Sequence, residues 1–294
     1  MMKATAIFSA FICSVCIVSS SVGGTFTAKV VKEDPIALEH YIPDTLLKDK
    51  RLLFIHGASG GSWGWKNLLV YFAERGFDSW ALNLRGHYLA GPVKDWGEVG
   101  LAEYLNDIDR AVKIVGNNVV LIGHSMTSLP VVAYAETHQV AGLIVSHPGP
   151  PRYLQEKKGI TITRPAYKPE IRDNKIKLPL KDRETAKTIL FDRTNVDDDK
   201  VDYLLSHLGE ESVRALQEIA AIVLHPEKIK TPVFVLGVDA ERIGIMANVD
   251  ICKAVADEIG ARGYAVIKPG GHCYMHERNW QEFAQQFEAW ISEM

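Results

Sequence analysis

The sequence predicts an α/β fold, with a mostly parallel central sheet, helices on both faces and a helical cap inserted into it. Short, unbroken apolar runs such as 51–55 and 119–122 are typical of strands that are buried on both faces of a sheet. They alternate along the chain with amphipathic helical patterns, which indicates a sheet covered by helices on both sides. Between 151 and 228 this alternation stops, and that segment predicts the cap.

Composition places the chain among ordinary globular proteins. At 294 residues, 47% hydrophobic and 23% charged, it has enough apolar material for one large α/β domain or two small ones. Its formal net charge of −3 gives no electrostatic reason to expect a nucleic acid as partner, and the oligomeric state stays open. Cys252 and Cys273 are either a disulfide pair or two buried thiols. Cys13 and Cys16 stand in an apolar segment without the histidine or second cysteine pair of a metal site.

The first 23 residues have the pattern of a secretory signal peptide. Lys3 precedes an apolar run over 6–18, and small residues lead to a possible cut after Gly23. We therefore expect a secreted or periplasmic protein with no stable membrane insertion once the signal is removed. An uncleaved anchor is the alternative, although the segment is short and rich in serine for a spanning helix.

The first half of the remaining chain predicts a hairpin and then alternating strands and helices. Residues 25–43 alternate between apolar and polar, as expected of an antiparallel hairpin at a sheet edge. A strand over 51–55 leads into a glycine-rich loop. The patterns that follow predict a helix over 62–75, a strand over 79–84, a helix over 99–115, a strand from 118 and a strand over 140–146.

The second half predicts the cap and the end of the core. Proline and charge dominate 148–182, and helical patterns follow over 183–191, 198–208 and 210–223 with no strand between them. Because such an insertion cannot join the sheet, we expect it to cover the mouth of a site. The core pattern then resumes with a strand over 232–237, a helix over 250–259, a strand over 264–268 and a helix from 279 onward. The predicted organisation is a signal peptide over 1–23, a core over 24–150 and 229–294, and a cap over 151–228.

The strand over 119–122 runs into the sequence G-H-S-M-T at 123–127, ahead of a second apolar run that predicts a helix. A serine hydroxyl is a poor nucleophile at neutral pH, so a site that uses one presents it on a tight bend beside a base. The stretch around Ser125 resembles the nucleophile elbow of the α/β-hydrolase superfamily, whose usual form is G-x-S-x-G. Thr127 replaces the last glycine, which implies a wider elbow or compensation by a small neighbour such as Ser128.

Two later strand ends carry the other polar groups that such a nucleophile needs. The strand ending at Gly237 is followed by Asp239 and Glu241, and the last strand is followed by His272. Functional groups gather at the carboxyl ends of strands in an open α/β sheet, so these groups can meet Ser125. The order nucleophile, acid, histidine is that of the superfamily. The resemblance implies that His272 is the base and Glu241 the acid, with Asp239 as the alternative.

By the same resemblance, the backbone N–H groups of Ala58 and Met126 would bind the oxyanion of a tetrahedral intermediate. Trp63 and Tyr274 are near the predicted mouth, and we expect them either to line an apolar substrate pocket or to belong to the core. No metal site is expected, because His272 and the histidine four residues later have no acidic third ligand beside them.

The chain is most similar to the small, cap-bearing serine esterases and lipases of this superfamily. That resemblance implies hydrolysis of a carboxylic ester, lactone or thioester through an acyl-enzyme, without a cofactor, and a small-molecule substrate. It leaves two alternatives open, since the fold also serves other roles: a ligand-binding protein without turnover, and a lyase that uses the same residues as a base.

Overall fold

The computed structural model describes residues 14–18, 25–161, 170–180, 182–238 and 249–294. Strands and helices alternate along most of this length. In chain order they are β1 (Ser14–Val18), β2 (Phe26–Glu33), β3 (Ile36–Pro43), β4 (Arg51–Ile55), α1 (Lys66–Ala73), β5 (Ser79–Asn83), α2 (Leu101–Val115), β6 (Val119–His124), α3 (Ser128–Ala135), β7 (Gly142–Ser146), α4 (Arg152–Lys158), β8 (Glu170–Arg172), β9 (Lys175–Lys177), α5 (Arg183–Leu190), α6 (Asp198–His207), β10 (Glu210–Ser212), α7 (Val213–Ala220), β11 (Val233–Val238), α8 (Val249–Glu258), β12 (Gly263–Ile267) and α9 (Trp280–Glu293).

Within the described residues, nine strands form one sheet in the order β1-β2-β3-β5-β4-β6-β7-β11-β12. The pairs from β1 to β5 are antiparallel, and the pairs from β5 to β12 are parallel. The predicted fold class is therefore confirmed. A parallel pair needs a long crossover between its strands, and the helices of the core supply these crossovers.

Two apolar layers explain why the strands read as unbroken apolar runs. On β4, Leu53 and Ile55 pack into the layer that contains α2, α3 and α8, whereas Leu52 and Phe54 pack into the layer that contains α1 and α9. Successive side chains of a strand point to opposite faces, so both faces must be apolar when both are covered.

The N-terminal hairpin forms as predicted, from β2 and β3, but β2 is not the edge strand. Residues Ser14–Val18 form β1, which pairs with β2 and lies at the edge of the sheet. These residues fall inside the predicted signal peptide, whose other residues lie outside the described part. A cut after Gly23 would remove β1 and leave β2 at the edge.

We call residues 147–232, between β7 and β11, the insertion. Its helices α5, α6 and α7 lie where helical patterns were predicted. The expectation of no strand was wrong, because β10 lies between α6 and α7 and forms a small separate sheet in the order β10-β9-β8. Strands of three residues are too short to show an alternating pattern. The β8–β9 turn uses Asp173 and Asn174 at positive φ, a conformation that these two residue types tolerate better than most.

Cys252 and Cys273 are free thiols, which resolves the choice that the sequence left open. Among the helices that the structure describes, none has the length and apolar character needed to cross a membrane.

Candidate active site

The turn after β6 presents Ser125 in a strained backbone conformation. Ser125 has a φ of 54°, and α3 begins three residues later. The left-handed region is costly for a residue with a side chain, so neighbouring structure must enforce it. Gly57 comes close enough that a Cβ added there would lie 2.9 Å from the Cβ of Ser125, which makes glycine necessary at position 57.

Thr127, which replaces the last glycine of the usual motif, joins the turn to the neighbouring strand. Its side chain is fully buried, and its Oγ1 lies 3.0 Å from the carbonyl oxygens of both Ile55 and His56. The same oxygen accepts a hydrogen bond from the backbone N–H of His124. A hydroxyl at this position therefore satisfies backbone groups at the end of β4, a role that glycine cannot perform.

The structure brings Ser125 and His272 together, as the sequence predicted. Nε2 of His272 lies 2.8 Å from Oγ of Ser125. Burial lowers the pKa of His272 to about 4, so the imidazole is neutral at pH 7 and its Nε2 can accept the hydroxyl proton. Nδ1 of His272 is buried and has no hydrogen-bond partner among the described residues.

The two predicted acids, Glu241 and Asp239, lie outside the described residues. In the sheet, β11 lies between β7 and β12 and is parallel to both, and it ends at Val238. The chain that carries both acids therefore leaves the sheet at the carboxyl edge of these strands. Their assignment stays a prediction. Nδ1 of His272, for which the described residues offer no hydrogen-bond partner, is the atom to which a carboxylate would bind.

We call residues 56–61 the glycine-rich loop. Nδ1–H of His56 donates to the carbonyl of Gly57 at 2.8 Å, and Gly60 N–H donates to the same oxygen at 3.2 Å. Nε2 of His56 accepts from Leu84 N–H, and burial lowers the pKa of this histidine to about 3. The Gly57–Ala58 peptide is thereby fixed through its carbonyl, while no described group accepts from the N–H of Ala58.

The second predicted oxyanion donor, the N–H of Met126, lies in the first turn of the helical segment that begins at Ser125. N–H groups in a first turn have no intrahelical acceptor and are available to an anion. His124, next to Ser125, is structural: its Nε2–H donates to the backbone carbonyl of His272 at 2.8 Å, and burial lowers its pKa to about 3.

A cavity of about 220 Å³ opens beside Ser125 and His272. Its far wall comes from the insertion and is apolar, formed by Leu178, Leu190, Leu204, Leu208 and Leu216. Trp63 lines this cavity, which is the first of the two positions predicted for it. Tyr274 does not: it is fully buried in the core, with its ring stacked on Phe283 and the ring centroids 4.2 Å apart.

His276 lines the cavity and stacks on Trp63 with ring centroids 5.6 Å apart. Its pKa is lowered by burial to about 4, so this imidazole is neutral at pH 7. In the described ranges, no three His, Cys, Asp or Glu side chains are grouped as metal ligands.

Two buried glutamates near the site were not recognised from the sequence. Glu211 of the insertion contacts the glycine-rich loop, and Glu277 of the core contacts the loop that carries His272. Glu277 belongs to the tail sequence G-H-C-Y-M-H-E at 271–277, but nothing in that pattern indicates its partners. The Glu211 contact joins segments 152 residues apart in the chain, whereas Gly271 is six residues from Glu277.

Glu277 joins the loop of His272 to the insertion. Its carboxylate accepts hydrogen bonds from the backbone N–H of Gly271 at 3.1 Å, from Asp192 N–H at 2.6 Å and from Asn195 Nδ2 at 3.1 Å. Burial raises its pKa to about 7, against the effect of these donors. A Cβ at Gly271 would lie 2.4 Å from the Asp192 nitrogen, so only glycine permits this approach.

The fold and the site together define a class: an α/β protein with a serine on a strained strand-to-helix turn, a histidine within hydrogen-bond distance and an inserted segment over the cavity. A family model described as the alpha/beta hydrolase family matches residues 52–286. The chain belongs to this family.

Solved structures share the fold at low sequence identity. Polyneuridine aldehyde esterase is 14% identical with a TM-score of 0.67, over 82% of this chain and 100% of that chain. A methylesterase from Arabidopsis is 15% identical with a TM-score of 0.66, over 83% and 100%. The thioesterase domain from the curacin biosynthetic pathway is 14% identical with a TM-score of 0.62, over 92% and 100%. No curated protein matches the chain in sequence.

Proposed function

We propose that this protein is a serine hydrolase that cleaves a carboxylic ester, lactone or thioester through an acyl-enzyme. The observation that carries the proposal is the 2.8 Å contact between Oγ of Ser125 and Nε2 of His272, on a strained turn beside an apolar cavity. The names of the similar structures, two esterases and a thioesterase domain, agree with this class of reaction.

In the proposed reaction, Oγ of Ser125 attacks the carbonyl carbon and its proton passes to Nε2 of His272. The N–H groups of Ala58 and Met126 bind the negative oxygen of the tetrahedral intermediate, and each such donor is worth roughly 3 kcal/mol. His272 then protonates the leaving alcohol or thiol as the carbon–oxygen or carbon–sulfur bond breaks. Water then attacks the acyl-enzyme in the same way, with His272 taking its proton, and the carboxylic acid is released as Ser125 regains its proton.

Glu241, with Asp239 as the alternative, is the proposed partner of Nδ1 of His272. A carboxylate there would hold the imidazole in the tautomer that accepts at Nε2 and would offset the charge that develops on the ring. The pKa of His272, lowered by burial to about 4, makes such a partner chemically useful, because a stronger base removes the hydroxyl proton more readily.

We propose that the substrate is neutral and apolar on the side that faces the insertion. The leucines of that wall and Trp63 offer no charged group to a substrate. Burying an unpaired charge against such a wall is costly, so a charged acyl or alcohol group would bind poorly.

The experiment is steady-state hydrolysis of p-nitrophenyl esters of increasing chain length, with lactones and thioesters in the same screen. Ser125→Ala and His272→Ala should each lower kcat by about 10⁴-fold or more, the size expected for triad members. The matched controls Ser206→Ala and His138→Ala change residues that are exposed or half-exposed and outside the cavity, and should leave kcat unchanged. Turnover near the wild-type rate in either site variant would refute the proposal.

Comparison of Glu241→Ala with Asp239→Ala then assigns the acid. The variant with the larger loss of kcat identifies it, and equal, small losses in both would show that neither carboxylate serves His272.

We also propose that the protein is exported. The pattern over residues 1–23 supports a signal peptide. Expression in a secreting host should give an exported product with a mature N-terminus at residue 24 by mass spectrometry, and a product retained inside the cells with Met1 in place would contradict the proposal.

A further inference from the structure

Ser59, next to the proposed oxyanion donor Ala58, is bound to the insertion through both of its backbone groups. Its N–H donates to Oε2 of Glu211 at 3.0 Å, and its carbonyl accepts from Gly209 N–H at 2.8 Å. Ser59 has a φ of 60°, an unfavourable conformation for a residue other than glycine. These two contacts hold it there.

Glu211 is itself fixed from several sides. Its Oε2 also accepts from Nε2–H of His87 at 3.1 Å, and its Oε1 accepts from the Tyr104 hydroxyl at 2.5 Å and from Ser212 N–H at 2.8 Å. The Glu211 side chain is fully buried, as is that of His87. We call Glu211, His87, Tyr104 and Ser59 the Glu211 network.

The network contains a buried ion pair. Burial alone would favour the neutral form of both partners. The opposite charge of the partner and the hydrogen bond to it outweigh burial in each case, so the pKa of Glu211 is lowered and that of His87 is raised. Nδ1–H of His87 also donates to the carbonyl of Arg85, which is consistent with a doubly protonated ring. Asp107 holds the Arg85 guanidinium at 2.7 Å beside this turn.

A continuous series of contacts leads from Glu211 to the N–H of Ala58. Ser59 is followed by Gly60, whose N–H donates to the carbonyl of Gly57. That carbonyl belongs to the same peptide unit as the N–H of Ala58, and peptide units are planar, so fixing one end fixes the other. Oxyanion donors act by being oriented before the reaction starts.

We propose that Glu211 is a positioning residue for the oxyanion hole: the insertion, through Glu211, sets the orientation of the Ala58 N–H. The proposal rests on the proposed function. It goes further by making the docked position of the insertion a requirement for the chemical step, in addition to its role as a wall of the cavity.

The test compares Glu211→Gln with Glu210→Gln. Glu210 is the preceding residue on the same strand, but it is exposed and pairs with Lys175 at 2.7 Å, so it controls for the loss of one charge on β10. Ester hydrolysis gives kcat and KM, and hydrogen exchange followed by mass spectrometry reports protection of peptides that cover 56–61 and the core strand β6.

We expect Glu211→Gln to lower kcat by about 10- to 100-fold with KM within about twofold, because an oxyanion donor acts mainly in the transition state. Exchange over 56–61 should become faster while β6 keeps its protection. Glu210→Gln should match the wild type in all three readouts. Should Glu211→Gln fail to fold, Tyr104→Phe removes one donor to Glu211 and should give a smaller change in the same direction.

Three results would overturn the proposal: wild-type kcat in the folded variant, a lower kcat with unchanged exchange over 56–61, or a change confined to KM with faster exchange across the whole insertion. If the wild type hydrolyses no ester at all, the proposed function fails. The exchange comparison still decides whether Glu211 holds the glycine-rich loop, so the two failures can be told apart.

Discussion

Glu211 and Glu277 both join the insertion to a loop that borders Ser125, but their charges are balanced in different ways. Glu211 has a cation beside it, His87, and its pKa is lowered. Glu277 is 1% exposed and receives only N–H donors, with no Lys, Arg or His ion pair among the described residues, and its pKa is raised by burial to about 7. One contact is therefore an ion pair in which each partner favours the charged form of the other, whereas the other contact changes protonation near neutral pH.

The largest expected effect comes from breaking the ion pair. Glu211→Ala leaves the imidazolium of His87 buried without its partner, and such a loss costs about 3–5 kcal/mol. Urea unfolding at pH 7 measures it. The double variant with His87→Ala should recover part of the loss, because it also removes the stranded charge. A loss below about 1 kcal/mol in the single variant would mean that His87 is neutral.

Glu277 should give a pH-dependent effect instead. Its folded pKa of about 7 lies above the ordinary value of 4.5, so its contribution to stability is full below pH 4.5 and is lost as the pH rises to about 7. Glu277→Gln removes this titration, so stability relative to the wild type should rise by about 3 kcal/mol between those limits. Unfolding free energies at pH 4.5, 6 and 8 test this, and a constant difference would contradict it.

The close approach at Gly271 predicts a smaller loss. Gly271→Ala places a methyl group against the Asp192 nitrogen, and such overpacking costs about 1–3 kcal/mol. Because the same residue precedes His272, kcat should fall as well. Gly159→Ala is a useful contrast, since a Cβ there meets nothing within 4 Å although φ is 65°. Equal behaviour of the two variants in kcat would show that the packing at Gly271 does not matter to His272.

The smallest effect is expected at the surface. Arg278 pairs with Asp197 where both side chains are about half exposed, and solvent screens such a pair. Arg278→Gln should leave both kcat and the denaturation midpoint unchanged. A clear loss in either would mean that exposed ion pairs, and not the buried glutamates, keep the insertion in place.

The parts of the molecule that were predicted from sequence are those with a local signal. Apolar runs predicted the parallel strands, and the bend at Ser125 and the position of His272 followed from chain order, so their contact could be anticipated. The role of Thr127 could not, because its hydroxyl bonds to backbone on another strand.

The Glu211 network had no local signal at all. Glu211 lies 124 residues from His87 and 107 from Tyr104 in the chain, on a strand of three residues that shows no alternation. A polar strand of this length is indistinguishable from a loop in sequence, and a buried glutamate is indistinguishable from an exposed one such as Glu210. Only the folded chain shows which of the two faces the glycine-rich loop.

The most direct test of the central claim is covalent labelling with a fluorophosphonate, followed by peptide mapping. If the hydroxyl of residue 125 is activated by the imidazole of residue 272, one phosphonyl group should attach to Ser125 in the wild type. The Ser125→Ala variant should take up none, and His272→Ala should react far more slowly. Label found on another residue, or full-rate labelling without His272, would contradict the account.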